Sequence, residues 1–486
     1  MRPLLVLSLA PLISACSSPD TEFTAPLLSV ESSIEGLSDR FAWARDTALS
    51  YAGVEGDSVG LWYEAALPGR EAFCMRDVSH QALGAHFLGL DEHTRNMLFQ
   101  FARNISEGKD WCTYWEITRN GDPAPVDYRD DESFWYNLPA NFDVLDASYR
   151  MYKWTGDVTY IEHPVFLDFY EKSVTEFVDR WDLGKNTILD RSRYMNRDSY
   201  DLDDPYQYAR GIPTYHESGV EGVRFGIDLL AFQVAAYRSY ANILAATNQP
   251  TKSTEYLSRA VTAANLLTEV FWKPESEQFH DLYTESDQTF EAGNMQVFAL
   301  YNDAVPDLEK SEALVSGLLN QKLENVEMGS YFPEVLYRYG KHGEALDMIM
   351  MLTADSTDRR SYPEVSYAVV GAIATGLMGI APADKGISTL SRIDSVEDFA
   401  TLNHFTHRNS IASLWHEGSH RSTLSVHAGD KLFWKANFAG NHPLLEVKNR
   451  KVRASISFDH QGNAVSSIEV EVLPMETVSI AVPEAE

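Results

Sequence analysis

Residues Pro213 to Asn248 read PTYHESGVEGVRFGIDLLAFQVAAYRSYANILAATN, and this stretch decides the fold class. Its first part is a loop marked by Pro213, Gly219 and Gly222 that carries Tyr215, His216, Glu217 and Glu221. Its second part is apolar at Phe225, Leu229, Phe232, Ala236 and Tyr240, a repeat of three and four that a helix satisfies and a strand does not. The spacing predicts one helix from Val223 to Asn248, with Glu221, Arg224 and Asp228 at i, i+3 and i+7 on one face of its start. A carboxylate at a helix N-terminus is ordinary capping chemistry, and a solvated charged face competes with a binding site here. The phenol and imidazole of the feeding loop weigh toward a site.

Working outward, the same apolar period predicts helices at Ser79–Asn104, Phe142–Trp154, Val165–Trp181, Thr251–Trp272, Asp307–Leu323, Gly343–Leu352 and Glu364–Met378. Shorter ones are expected near Arg40–Tyr51, Gly293–Tyr301 and Phe332–Tyr339, with no convincing alternating strand between them. Helices joined by short polar loops pack as antiparallel hairpins. Six such hairpins closed into a ring make a mainly α chain with an (α/α)6 toroid over residues 38–382. Residues 383–409 read as a connection. From 410 to 486 the pattern alternates, as in Ser422 to Val426 and Ile468 to Val472, and predicts a small antiparallel β-sandwich domain.

The N-terminus reads differently. Residues 1–15 combine Arg2 with an apolar run from Leu4 to Ile13, and Ile13-Ser14-Ala15 leads into Cys16, which resembles the lipobox of bacterial lipoproteins. The expectation is a lipid-anchored protein of the cell envelope, at the outer membrane, with Cys16 lipidated and residues 16–37 a tether. The chain carries 71 acidic against 40 basic residues, a formal charge of −31. Such a field disfavours nucleic acid and an anionic membrane surface as partners, leaving the lipid anchor as the membrane contact. Beyond Cys16 only Cys74 and Cys112 remain, free to pair or not, and neither sits in a metal-spacing motif. No motif calls for a cofactor or a metal. The carboxylates Asp198, Asp201, Asp203 and Asp204 crowd one loop, but not at calcium-loop spacing.

Two further helix starts hold unusual polar residues. Asp77, His80, Gln81 and Gly84 fall on one face at i, i+3, i+4 and i+7, and capping by Asp77 leaves His80 and Gln81 unexplained. Pro363-Glu364 opens a helix that is otherwise apolar; Pro at the first position and Glu in the first turn are also routine start chemistry. Trp115, Glu116 and Trp135 lie in loops, interleaved with amides and carboxylates. Flat rings beside polar groups suit pyranose sugars, which offer apolar faces and hydroxyl edges.

The order Glu217-Ser218-Gly219, Ile227-Asp228-Leu229-Leu230, Phe271-Trp272 and Phe279-His280-Asp281, with Glu364 downstream, resembles the catalytic block of trehalases and processing α-glucosidases over residues 213–380. The Arg76-Asp77 loop is similar to the rhamnosidase branch of the same six-hairpin glycosidase superfamily. Those families place an Asp acid three residues after the Glu of Glu-Ser-Gly; here that position is Val220 and the carboxylate follows as Glu221. The resemblance implies an inverting glycoside hydrolase releasing sugar units from oligosaccharides, with Glu221 as acid, Glu217 as its alternate and Glu364 as base. It leaves Asp77, His80, Gln81, Trp115, Glu116, Trp135, Tyr215, His216, Arg224 and Asp228 to bind substrate. Two alternatives stand beside it: a uronic-acid lyase or dehydratase using a Tyr or His base, and a glycan-binding lipoprotein without catalysis.

Overall fold

The computed structural model of the chain describes residues 27–54, 56–191, 208–216, 222–323 and 325–483. Cys16, Glu217, Glu221 and the acidic loop of Asp198 to Asp204 lie outside the described residues. Within them, twelve helices alternate between two layers. The outer layer is α1 (Leu37–Ser50), α3 (Asp91–Ala102), α5 (Pro164–Val174), α7 (Pro250–Phe271), α9 (Leu308–Asn320) and α11 (His342–Leu352). The inner layer is α2 (Met75–Phe87), α4 (Pro139–Thr155), α6 (Ile227–Ala246), α8 (Val297–Tyr301), α10 (Val326–Arg338) and α12 (Pro363–Gly371). Each inner helix touches the next, and α12 returns to α2, so the six close into a ring.

Sequence explains the layering. An outer helix such as α7 buries one stripe, Ser253, Tyr256, Ala260, Ala263, Ala264, Leu267 and Phe271, and leaves the rest in water. An inner helix is packed on all sides, and every residue of α12 is buried. Residues 79–104, expected as one helix, form two. Gly89 at φ +77 supplies the left-handed residue that ends α2, and the N–H of Leu90 folds back to the carbonyl of Ala85.

Closure of the ring rests on a bare backbone contact. A Cβ on Gly84 of α2 would stand 2.0 Å from the carbonyl oxygen of Tyr367 on α12. The two helices therefore cross at a distance only glycine permits, and Gly371, one turn further along α12, also lies against Gly84.

The strand content exceeds the mainly α expectation: 42% of the structure is helix and 24% strand. Short strand pairs sit between the helices, among them Ala72–Cys74 with Glu116–Thr118, Tyr136–Asn137 with Arg210–Ile212, and Val223–Gly226 with Leu282–Thr284. The C-terminal part holds a seven-stranded and a five-stranded sheet. It is not wholly antiparallel, because Gly386–Leu390 runs parallel to Leu432–Ala439. The expected connection over 383–409 contributes Gly386–Leu390 and Phe399–His407 to these sheets. The expected tether contributes Ser29–Ser32, which pairs with Phe399–His407 as an edge strand. Ser29–Ser32 and Gly386–Leu390 are short runs with little alternation of their own, and the alternation of the longer Phe399–His407 is interrupted where its register shifts between Leu402 and Phe405. His416 Nε2 lies 3.0 Å from the carbonyl of Met378, and Gln461 donates to the carbonyl of Tyr339 at 3.0 Å, so the sheets pack at the C-terminal end of the inner helices. No described helix is long and apolar enough to cross a membrane.

Gly84→Ala should lower stability by about 1–3 kcal/mol, the range for forced overpacking, because backbone rather than a yielding side chain meets the new methyl. Chemical denaturation measures it; a variant as stable as the parent contradicts the crossing.

Candidate functional site

At the opposite end of the ring the inner helices begin, and their first turns bring together residues far apart in sequence. Strand Ala72–Cys74 feeds α2, whose first N–H, on Met75, donates to the carbonyl of Trp115 at 3.1 Å. Extended Tyr362 and Pro363 at the first helical position start α12, so that Glu364 turns inward and is fully buried. His80 Nδ1, one turn into α2, lies 2.7 Å from Glu364 Oε1. The imidazole is clamped by Tyr331 of α10, whose ring stacks on it at 3.5 Å and 8°.

Around this pair stand more carboxyls than cations. Asp77 accepts from the hydroxyl of Tyr362 at 2.9 Å and from the thiol of Cys74. Cys74 and Cys112 are both free and buried, and burial pushes both thiols up. Arg76 bonds Glu327 at 2.8 Å and stands 3.8 Å from Asp77, while Arg359 takes the other oxygen of Glu327 at 2.6 Å. Asp143 on α4 receives the Tyr215 hydroxyl at 3.2 Å, and Arg76 lies over the Tyr215 ring, 5.8 Å from its centroid.

Burial sets the protonation states. It raises Glu364 to about 8, against the pull of Arg76. It raises Asp77 to about 7, assisted by the charge of Glu364, and lifts Asp143 well above the usual carboxylate range. It holds His80 down at about 3, so the imidazole is neutral. For Glu327 burial also pushes upward, but the two arginines outweigh it and keep the carboxylate ionised. The cluster thus combines proton-bearing carboxyls with an ionised one. Both amide atoms of Gln81 are buried with no hydrogen-bond partner among the described residues, and the Tyr331 hydroxyl approaches the Glu364 carboxyl and tempers its proton affinity. Donors and acceptors left open in this way match the hydroxyls of a polyol.

The structure brings together Asp77, His80, Gln81, Tyr215 and Glu364 of the expected residues. Trp115 joins them, its ring 6.2 Å from that of Tyr215. Buried His216 follows Tyr215 in the loop, its N–H donating to Thr214 Oγ1 at 3.0 Å. Trp135 braces this loop indirectly: its Nε1 donates to Asn137 Oδ1 at 2.7 Å, and Asn137 donates to the carbonyl of Thr214 at 2.7 Å.

The expected start of the helix, and with it the shared charged face, is corrected. The helix begins at Ile227, because Val223–Gly226 is drawn into a strand beside Leu282–Thr284. Arg224 is therefore not on a helical face with Asp228; it bonds the carbonyl of Leu189 and Asp287. Asp228 binds its own chain, accepting from Thr214 Oγ1 at 2.9 Å and from the N–H of Tyr215, and so clasps the loop to the helix. Gly226 makes room for that clasp, since a Cβ there would stand 2.1 Å from Asp228 Oδ1. Glu116 is buried and held by Arg70 at 2.7 Å.

Asp143, Glu327, Tyr331 and Tyr362 were not singled out from sequence. One signal was available for Glu327 and Tyr331: Asn325 caps α10 through the N–H of Met328 at 2.9 Å, seven residues before Phe332, where the helix was expected to start.

No family model matches the chain, and no curated protein matches it by sequence. Solved structures do match in shape. An α-L-rhamnosidase from Dictyoglumus thermophilum shares 11% identity and a TM-score of 0.59 over 93% of this chain and 50% of its own. A GH78 family rhamnosidase of Bacillus sp. GL1 shares 14% identity, TM-score 0.55, over 80% of this chain and 40% of its own. A human-microbiome chain described as a kojibiose phosphorylase shares 9% identity, TM-score 0.53, over 92% and 63%. The chain thus spans from two fifths to under two thirds of these neighbours' lengths. At such identities the likeness concerns the fold, a helical toroid with β domains, and among these three the trehalase branch is not singled out.

Asp77 and Glu364 both bind protons more tightly in the folded chain than in the unfolded one. Stability therefore falls as pH rises from the ordinary carboxylate range through about 8. Glu364→Gln is neutral throughout and should show a smaller fall in Tm between about pH 5 and about pH 9 than the parent. Equal falls in both proteins would contradict the buried, proton-bearing carboxyl.

Proposed function

We propose that the protein is a glycoside hydrolase that takes a sugar into the N-terminal end of the helical ring and cleaves its glycosidic bond by carboxyl acid–base catalysis. The observation that carries this reading is Glu364: wholly buried, oriented by neutral His80, and raised to about 8 so that it holds its proton at neutral pH. Hydrolysis needs one carboxyl that gives a proton to the leaving oxygen and one carboxylate that activates water. Glu364 suits the first role, the reverse of the base role the trehalase-like block implied. In the tautomer whose Nδ1–H donates to Oε1, the acid proton sits on Oε2. Glu221, with Glu217 as alternate, is then assigned the water-activating role. Asp77, Gln81 and Tyr331 orient sugar hydroxyls, and Trp115 offers a ring face.

The local electrostatics weigh against elimination from a uronate. Arg224 is tied to Asp287, Arg76 to Glu327, and the Tyr215 phenol is pushed up by burial while it donates to Asp143. A substrate carboxylate would meet these carboxyls with the two guanidiniums already engaged.

A test separates acid from base. On the first glycoside the wild-type protein is found to cleave, Glu364→Gln should cut kcat by about 10²–10⁴-fold, the usual contribution of general acid catalysis. An aryl analogue with a strongly acidic leaving phenol needs no proton, so there the same variant should approach wild-type turnover. Equal losses on both substrates would assign Glu364 to water activation instead. Binding of oligosaccharides with none cleaved would contradict the hydrolase reading altogether.

A further inference from the structure

The ring has a second opening at the C-terminal ends of the inner helices, away from Glu364. A cavity of about 280 Å³ lies there, lined by Arg150 of α4, Glu334 and Arg338 of α10, Thr375 and Gly376 beyond α12, and Arg392. Arg338 and Arg392, with Tyr337, also line a cleft of about 830 Å³ between the ring and the sheets. The smaller space suits a small ion or a short acid rather than an oligosaccharide.

Its charges are unevenly matched. Arg150 is paired with Asp146 at 2.9 Å and bonds the Tyr301 hydroxyl at 2.7 Å. Arg338 is paired with Glu334 at 2.7 Å and Asp303 at 3.0 Å. Arg392 has no carboxylate partner among the described residues. Its Nη1 donates to the carbonyls of Thr375 at 3.0 Å and Gly376 at 2.5 Å, which caps the end of the last inner helix. That use occupies one nitrogen and leaves Nε–H and both Nη2–H groups, the fork with which arginine grips an oxyanion. In a chain with 71 acidic and 40 basic residues, the buried Arg76 and Arg210 and the half-buried Arg150 and Arg338 each have a carboxylate within salt-bridge distance. Burial and the neighbouring Arg338 depress Arg392 to about 10, the direction expected of a cation short of negative charge.

We propose that this basal cavity is a second binding site, in which the free edge of Arg392, seconded by Arg338, holds a small oxyanion of the phosphate or carboxylate class. The anion would join the linker residue Arg392 to α10 and so brace the ring against the sheets. The site does not depend on the hydrolase reading, and its test uses no turnover.

Calorimetric titration of the full chain with inorganic phosphate, and separately with glucuronate, at matched ionic strength distinguishes the two sources of oxyanion. Saturable binding of either is expected, weakened about tenfold or more in Arg392→Gln, the scale of one charge-assisted pair of hydrogen bonds. Glu334→Gln removes the facing negative charge and should tighten binding severalfold, which keeps the test open if Arg392→Gln does not fold. Absence of saturable binding for both anions overturns the site. So does binding that Arg392→Gln leaves intact, or that Glu334→Gln fails to tighten.

Discussion

The rest of the structure depends on the crossing of the first and last inner helices at Gly84. Because the backbone of α2 meets the carbonyl of Tyr367 with no side chain between, two segments nearly 300 residues apart lie in parallel register. One turn toward the N-termini, that register sets His80 against Glu364; one turn further, it sets Asp77 against Tyr362. A wider crossing would open this seam of the ring and separate these pairs. The fold's closure and the site's assembly are the same contact.

Packing also supplies the chemistry. An inner helix must bury every face, so any carboxyl in its first turn loses water and is driven to keep its proton unless a cation compensates. Glu327 has two arginines and stays ionised; Asp77, Asp143 and Glu364 are not matched to the same degree and rise. Differences in pairing, rather than in residue type, thus divide one acidic cluster into proton donors and an ionised anchor. The arrangement costs stability at higher pH, because carboxyls that keep their protons when folded lose that advantage as pH rises.

Much of this was legible in the sequence, and the reasons differ by element. The period of three and four gave the helices, an acidic residue opening an otherwise apolar helix marked Glu364, and a shared polar face marked Asp77 with His80 and Gln81. Asp143, the fifth residue of α4 and followed by Asp146 and Arg150, carries no such mark. Glu327 and Tyr331 were hidden by Pro333, which suggests a helix start although here it lies inside α10. Arg224 and Asp228 were misplaced because helical spacing was extended through Gly226 into a strand. Asp228 shows why a buried charged residue near a site need not face it: its oxygens are spent on the backbone and hydroxyl of the loop it holds.

The central claim is that ring closure buries Glu364 so that it carries its proton at neutral pH. Infrared difference spectroscopy of the parent against Glu364→Gln at pH 7 measures this without any substrate. The account predicts that the variant loses the carbonyl stretch of a protonated carboxylic acid. Loss of carboxylate bands alone, with the acid carbonyl region unchanged, would contradict it.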